Sequence, residues 1–400
     1  MQAKAAEREV VQLFETAVIA APGGRRAWGQ VFDSPGGQYG IFGTSAGVQV
    51  LAPSYGETHT LVSNATALLD LLDDAGSVFR KKKDHLNTYK LIARVEATSP
   101  TAAVVPSIVP ATSALVAAAL PGGGWGDYAG QTGNPDPNPT EVATSLALYS
   151  LRRFTSFRGS PQCTAALEWL SERILSRRSW EPTDLEVPTL FAVALLAMQP
   201  YTDAEAGKIV NGLKPAIIKC RQSISRWSRY RPPEFVCEQF RHDFIEEGPY
   251  KRGGDFVALI PDCVASLALL ESPEQLTYRT RTYVRKVVYR VSRDIVGSRF
   301  RPRNVRRRAA LDHLWAQRVL RAYLASPRHS HLLLAHVRSW GWFRFIVTEV
   351  FLLILSIACF ARVSTTQGWK NSTLYVFGTL SAGTVIGLFA TRFSGTRPES

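Results

Sequence analysis

Residues 122–151 read GGGWGDYAGQTGNPDPNPTEVATSLALYSL, and this order of segments predicts the fold. A loop rich in Gly and aromatic residues comes first, a Pro-rich stretch follows, and a run of small residues and leucines begins at Thr140. A threonine hydroxyl can cap the start of a helix, and Pro139 disfavours helix in the residue before it. Alanine and leucine then favour propagation of the helix. We therefore predict a helix whose small residues allow close packing on both faces.

The same order of loop and small-residue helix recurs along the chain. Further small-residue helices are predicted over residues 43–52, 187–197, 260–270 and 309–324, with Thr44 and Thr189 at or near capping positions. Segments between them, such as residues 161–176, carry one apolar stripe opposite a charged face. Strand signals are scarce. The sequence predicts an all-α body of about five helix pairs, closed into a ring; an irregular bundle and an open solenoid are the alternatives.

The pattern Gly-Gly-Trp-Gly, a Pro-rich loop and a helix beginning with Thr resembles the α/α toroid of squalene-type terpene cyclases and protein prenyltransferase β subunits. Residues 123–151 carry the resemblance best and residues 36–52 next. It covers roughly residues 5–325, and we assign residues 1–325 to this domain. The resemblance implies a ring of inner helices around a ligand cavity. Loop residues expected near its mouth are Tyr39, Trp125, Asp127, Tyr128, Asp136 and Asp255.

Catalytic carboxylates are hard to place by this resemblance. Cyclases of the squalene–hopene type protonate their substrate from an Asp-x-Asp-Asp motif, whereas residues 70–74 read DLLDD and are one residue too long. Asp73, Asp74 and Asp136 are the acid candidates that remain. The alternative interpretation of the 70–74 cluster is a solvated helix end, the usual place for grouped charges.

A zinc site like that of prenyltransferase β subunits is not predicted. Asp262 and Cys263 are adjacent, so their side chains would point about 100° apart on a helix. No histidine follows at a comparable place, because His313 lies in the most degenerate repeat. We expect Asp262 to cap the helix that begins after Pro261. The five cysteines show no metal or disulfide spacing, which indicates a reduced protein. We predict no metal and no cofactor, and binding rather than catalysis.

Two apolar runs near the C-terminus, residues 345–361 and 373–390, predict a membrane module. Each is about long enough to cross a hydrocarbon core of ~30 Å at ~1.5 Å per residue. The linker between them is too short for a domain, so the pair predicts a two-helix transmembrane hairpin. Residues 326–344 would then be a basic juxtamembrane segment, and residues 391–400 a short tail.

The distribution of charge predicts the orientation of this hairpin. Residues 1–270 carry 26 basic and 27 acidic side chains, whereas residues 271–340 carry 16 basic and 4 acidic ones. Basic residues flanking a first membrane helix stay in the cytoplasm and attract anionic headgroups. We therefore predict a plasma-membrane protein with its body and both termini on the cytoplasmic side. Nucleic acid or an anionic nucleotide is the alternative partner, which the position beside the membrane disfavours.

The hairpin itself contains residues with a possible role in assembly. Glu349 lies within the first run, one helical turn beyond Arg344, with which it can pair near the interface. Gly378, Gly383 and Gly387 belong to small-x-x-x-small patterns in the second run, which permit close contact between helices. Packing within one hairpin and self-association into a homo-oligomer are both compatible with these patterns.

Three functional hypotheses follow from these features. The first is a membrane-anchored, non-catalytic toroid that recognises a ligand or protein partner and signals through its hairpin, as sensor–effector proteins of antiviral defence do. The second is a membrane-tethered enzyme that acts on isoprenoid lipids, as the resemblance implies. The third is a plain membrane scaffold. The missing acid motif and zinc ligands favour the first.

Overall fold

The computed structural model describes only part of the chain, and every described residue lies in the unit Met1–Ser326. The predicted hairpin, with Arg344, Glu349, Gly378, Gly383 and Gly387, falls outside the described residues. Among the helices that are described, none combines the length and the apolar character needed to span a bilayer. The described ranges are 2–32, 39–78, 86–97, 109–129, 138–178, 187–202, 210, 212–230, 238–240, 257–272, 276–300 and 309–326.

Helices dominate the described residues, which confirms the all-α prediction. They are α1 (Gln2–Thr16), α2 (Ile41–Tyr55), α3 (Thr60–Val78), α4 (Thr88–Ala97), α5 (Val109–Ala117), α6 (Glu141–Leu151), α7 (Thr155–Arg158), α8 (Pro161–Ser176), α9 (Val187–Met198), α10 (Leu213–Tyr230), α11 (Pro261–Leu270), α12 (Tyr278–Val296) and α13 (Ala310–Ala325). Short antiparallel pairs join β1 (Ile19–Ala21) to β2 (Arg25–Ala27), β3 (Leu86–Asn87) to β4 (Tyr128–Ala129), and β5 (Glu238–Phe240) to β6 (Val257–Leu259).

Six of these helices are grouped as the small-residue helices: α2, α6, α9, α11 and α13, which are rich in small and apolar residues, and α4, which packs on α2 and α6. Five of them coincide with the segments that the sequence predicted. Helix α4 was not predicted, because Lys90, Arg94 and Glu96 interrupt its apolar pattern and no Gly-rich loop precedes it. In α6 every residue from Val142 to Leu151 is buried.

The small-residue helices pack on one another in chain order. Helix α2 packs on α4, α4 on α6, α6 on α9, α9 on α11, α11 on α13, and α13 on α2. The other long helices each pack against the small-residue helix that precedes them: α3 on α2, α5 on α4, α8 on α6, α10 on α9 and α12 on α11. Helix α1 packs against α13 and α12. The N-terminal helix therefore packs beside the last two helices of the unit.

Helix α8, in the second set, is amphipathic. The hydroxyl of Ser160 accepts a hydrogen bond from the Cys163 N–H at 3.3 Å, and Pro161 occupies the first helical position. Leu167, Leu170 and Ile174 are among its buried residues. The predicted helix 161–176 is thus confirmed at both ends. Cys163, Cys220 and Cys263 are buried free thiols.

A Trp-Gly loop fixes the start of α6. Thr140 caps the helix, since its hydroxyl accepts from the Ala143 N–H at 3.3 Å. The Trp125 N–H donates to the Thr144 hydroxyl at 2.9 Å, and this hydroxyl donates to the Trp125 carbonyl at 3.2 Å. The Trp125 indole donates to the Leu115 carbonyl of α5 at 2.7 Å. One tryptophan therefore connects two neighbouring helices.

The loop before α2 repeats this arrangement. The Trp28 indole donates to the Phe14 carbonyl of α1 at 2.6 Å, and the Trp28 N–H donates to the Thr44 hydroxyl at 3.3 Å. Helix α2 begins one turn before Thr44, after Gly40. Thr44 therefore bonds the Trp28 loop from a position inside the helix. Thr44 was predicted at or near a capping position; it lies one turn inside the helix and does not cap it.

Candidate functional site

Two of the three aromatic residues predicted near a cavity mouth, Tyr39 and Trp125, have partners within the protein. Trp125 is fully buried and hydrogen-bonded as described above. Tyr39 is partly buried and packs against the small cluster of Ala21, Ala27 and Leu68. Both residues contribute to packing of their loops against the helices.

Asp127 joins the starts of two small-residue helices. Its Oδ1 accepts hydrogen bonds from the Tyr89 hydroxyl at 2.8 Å and from the Thr140 hydroxyl at 3.0 Å. Burial, followed by the charge of Asp127, raises the pKa of Tyr89 well above its usual value. The remaining candidates have no described side chain: Asp73 and Asp74, in α3; Tyr128, in β4; and Asp136 and Asp255, outside the described residues.

Asp262 does not cap α11, contrary to prediction. The residue preceding the helix is Ile260, and the Asp262 carboxylate accepts a hydrogen bond from the Tyr283 hydroxyl of α12 at 2.5 Å. Burial and the charge of Asp262 raise the pKa of Tyr283. Within the described ranges, no group of three His, Cys, Asp or Glu side chains is placed to hold a metal ion.

A polar cluster that the sequence did not predict lies between the small-residue helices. Gln49 of α2, Glu96 of α4, Tyr149 of α6 and Arg318 of α13 are each the ninth residue of their helix. Because these four helices pack side by side, equal positions along them come together. Arg152 and Arg153 follow α6, and Glu271 follows α11. We call these seven residues the Glu96 cluster.

Glu96 is held by three arginines. Its carboxylate pairs with Arg153 at 3.3 Å, with Arg152 at 3.5 Å and with Arg318. The side chain of Glu96 is 7% exposed. Burial by itself would raise the pKa of Glu96, but the charges of Arg153, Arg318 and Arg152 outweigh it and lower the pKa to about 2. Glu96 is therefore ionised at neutral pH.

Arg153 also binds the end of α4. Its Nη2 donates to the carbonyls of Val95 and Glu96, both at 3.3 Å. A cation at this place is favourable, because the last carbonyls of a helix are unsatisfied and carry partial negative charge. Burial lowers the pKa of Arg153, yet a guanidinium keeps its proton in proteins. All three arginines are therefore charged.

Tyr149 provides an aromatic face for the arginines. The Arg152 guanidinium carbon lies 3.3 Å from the ring centroid, and that of Arg318 lies 5.6 Å away. Such cation–π contacts stabilise a partly desolvated guanidinium. The Tyr149 hydroxyl donates to Glu271 Oε1 at 3.2 Å. Burial raises the pKa of Tyr149 to about 12 and also raises the pKa of Glu271.

Comparison with protein-family models, with curated proteins and with solved structures finds no match to this chain. A functional proposal therefore depends on the chemistry of the chain's own residues.

Proposed function

We propose that residues 1–326 form an α/α toroid of six helix pairs that recognises a ligand at the Glu96 cluster. The order of packing supports the ring, since successive small-residue helices contact one another and α13 contacts α2. Helices α3, α5, α8, α10 and α12 supply the outer layer, together with α1. Helix α4 is the sixth inner helix in this arrangement, one more than the sequence indicated.

The observation that carries the recognition role is the convergence of charged side chains from separate inner helices. Three guanidinium groups, the carboxylates of Glu96 and Glu271, the Gln49 amide and the Tyr149 side chain meet there. The arginine side chains remain 18–19% exposed, so solvent reaches them. Glu96 is unsuited to donate a proton to a substrate, because its pKa lies at about 2. Binding is therefore the role that this chemistry supports best.

Membrane attachment is the second part of the proposal. Its basis is the pair of apolar runs at 345–361 and 373–390, together with the basic residues before them. Within the described residues, α12 presents Arg279, Lys286 and Arg293 as an exposed stripe, one residue every two turns. Anionic headgroups attract such a stripe. The body would lie at the inner leaflet and signal ligand binding through the hairpin, by self-association or by perturbing the bilayer.

A pair of charge insertions tests the attachment. Leu353→Arg combined with Leu380→Arg places a charge at or next to the middle of each run, at a cost of about 2.5–3.5 kcal/mol per residue. We expect the wild-type chain in the membrane fraction and the double variant in the aqueous fraction. The double alanine variant at the same positions is the control and should stay in the membrane. Wild-type chain that stays in the aqueous fraction without detergent would refute the attachment.

A further inference from the structure

The Glu96 cluster contains more positive than negative charge. Arg152, Arg153 and Arg318 each carry a permanent charge, and Glu96 is placed against all three. Even with Glu271 ionised beside Tyr149, one positive charge is left over. Because these arginine side chains are only 18–19% exposed, water compensates the excess charge only in part, and the remainder has a cost. A bound anion would remove that cost.

The guanidinium groups also have hydrogen-bonding capacity beyond Glu96. Arg152 reaches Glu96 through Nη1, and Arg153 and Arg318 each do so through Nη2. The Nε of Arg153 is buried and has no hydrogen-bond partner among the described residues. Each guanidinium offers five N–H donors in a planar fork, which suits the paired oxygens of phosphate or carboxylate groups.

We propose that the Glu96 cluster is a binding site for the phosphate group of a soluble ligand, held by Arg152, Arg153 and Arg318. The Glu96 carboxylate already pairs with these three arginines and competes with the phosphate group for them. The proposal rests on the recognition role given above and names the chemistry that is recognised. A lipid headgroup fits less well, because the arginine side chains are recessed between helices, whereas the stripe on α12 is exposed.

Inorganic phosphate is the probe for this site, with the full chain in detergent micelles. Calorimetric titration and the melting midpoint are measured in sodium phosphate and in sodium chloride at equal ionic strength. Phosphate should raise the midpoint of the wild type where chloride does not. Arg318→Gln should weaken phosphate binding at least tenfold. Arg173→Gln is the matched control, because Arg173 is 55% exposed and pairs with Glu141 at 3.4 Å, away from the cluster.

Glu96→Gln separates ligand binding from a purely structural role. It keeps all three arginines and removes the competing carboxylate, so phosphate should bind about tenfold more tightly although the unliganded protein is less stable. A lower midpoint without any gain in phosphate affinity would overturn the proposal. So would equal effects of phosphate and chloride on the wild type.

Two further outcomes distinguish this site from the membrane proposal. Binding to phosphatidylglycerol vesicles that Arg318→Gln abolishes, without binding of free phosphate, would overturn the soluble ligand in favour of a headgroup. A chain that binds phosphate but stays out of the membrane would refute the attachment and leave this site intact.

Discussion

Glu96 illustrates how a single charged residue is accommodated among small apolar helices. Its neighbours on α4, Val95 and Ala97, are buried, and Glu96 itself is nearly so. Three arginines outweigh the cost of removing this carboxylate from water, and the result is a lowered pKa. Because the folded-state pKa lies below the unfolded one, Glu96 stabilises the protein above its unfolded pKa.

This gives a prediction for pH dependence. As pH falls from the unfolded pKa of about 4.5 towards the folded pKa of about 2, the contribution of Glu96 should be lost progressively. Its full size is about 3 kcal/mol, by the relation between pKa shift and free energy. Urea unfolding at pH 7, 4 and 3 measures it. Glu96→Gln should flatten the dependence in this window, whereas Glu168→Gln, at an exposed position of α8, should not. Parallel curves for the wild type and Glu96→Gln would contradict the prediction.

Thr144 is the second residue whose role can be tested. Its hydroxyl bonds both the N–H and the carbonyl of Trp125. Thr144→Val keeps the shape and leaves two buried backbone groups without that partner, so we expect a loss of about 1–3 kcal/mol in the free energy of unfolding. Thr282→Val is the control, since the Thr282 hydroxyl bonds the Tyr278 carbonyl on the exposed side of α12 at 2.8 Å. Equal losses in both variants would show that the Trp125 loop does not depend on Thr144.

At the scale of elements, α2 shows why glycine is needed in a small-residue helix. A Cβ on Gly43 would lie 2.4 Å from backbone atoms of Gly29 and Trp28, and a Cβ on Gly47 would lie 2.4 Å from the Trp28 ring. The loop and the helix approach so closely that no methyl group fits between them. This close approach places Thr44 within hydrogen-bonding distance of Trp28.

Alanine substitutions test this approach. Gly47→Ala and Gly43→Ala should each cost about 1–3 kcal/mol, because overpacking forces the Trp28 loop away from α2, although alanine favours helix. Gly159→Ala is the control: its φ of −91° is ordinary, and a Cβ there meets nothing within 4 Å. Thermal melts of the three variants provide the measurement. A stabilised Gly47→Ala variant would mean that Trp28 does not lie against α2.

At the scale of the whole body, α1 connects the beginning of the chain to its last described helices. Phe14 of α1 is fully buried, lies edge-on to the Phe32 ring at 4.9 Å between centroids, and offers its carbonyl to Trp28. An ion pair joins Glu7 to Arg321 of α13 at 3.0 Å. Helices α12 and α13 therefore depend on a segment about 300 residues earlier in the sequence.

Removing Phe14 tests this dependence. Phe14→Ala should lower the free energy of unfolding by about 3–5 kcal/mol, as expected for a large buried aromatic side chain. In a closed ring, amides of α12 and α13 should lose hydrogen-exchange protection along with those of α1. Leu175→Ala, at a side chain that is 40% exposed, should leave the exchange pattern unchanged. Loss of protection confined to α1 and α2 would argue for an open array.

Single elements were predictable because their signals are local. Ser160 and Pro161 fix the start of α8, and Thr140 fixes the start of α6, through bonds that span three residues. The all-α class followed from the same signals repeated along the chain. Helix α4 was not predicted because Glu96 and the basic residues near it interrupt the apolar pattern. The side chains that pair with Glu96 belong to other segments, so nothing near it in the sequence indicates them.

The sequence by itself determined most of the helices and the caps of α6 and α8, since these depend on contacts within a few residues. Only the tertiary structure decided that Glu96 meets Arg318, which lies 222 residues away along the chain. That contact requires the ninth residues of separate helices to lie at the same height along the helix axes. The packing of the helices on one another sets this height. Packing of side chains from many segments is cooperative, so no short pattern in the chain could specify it.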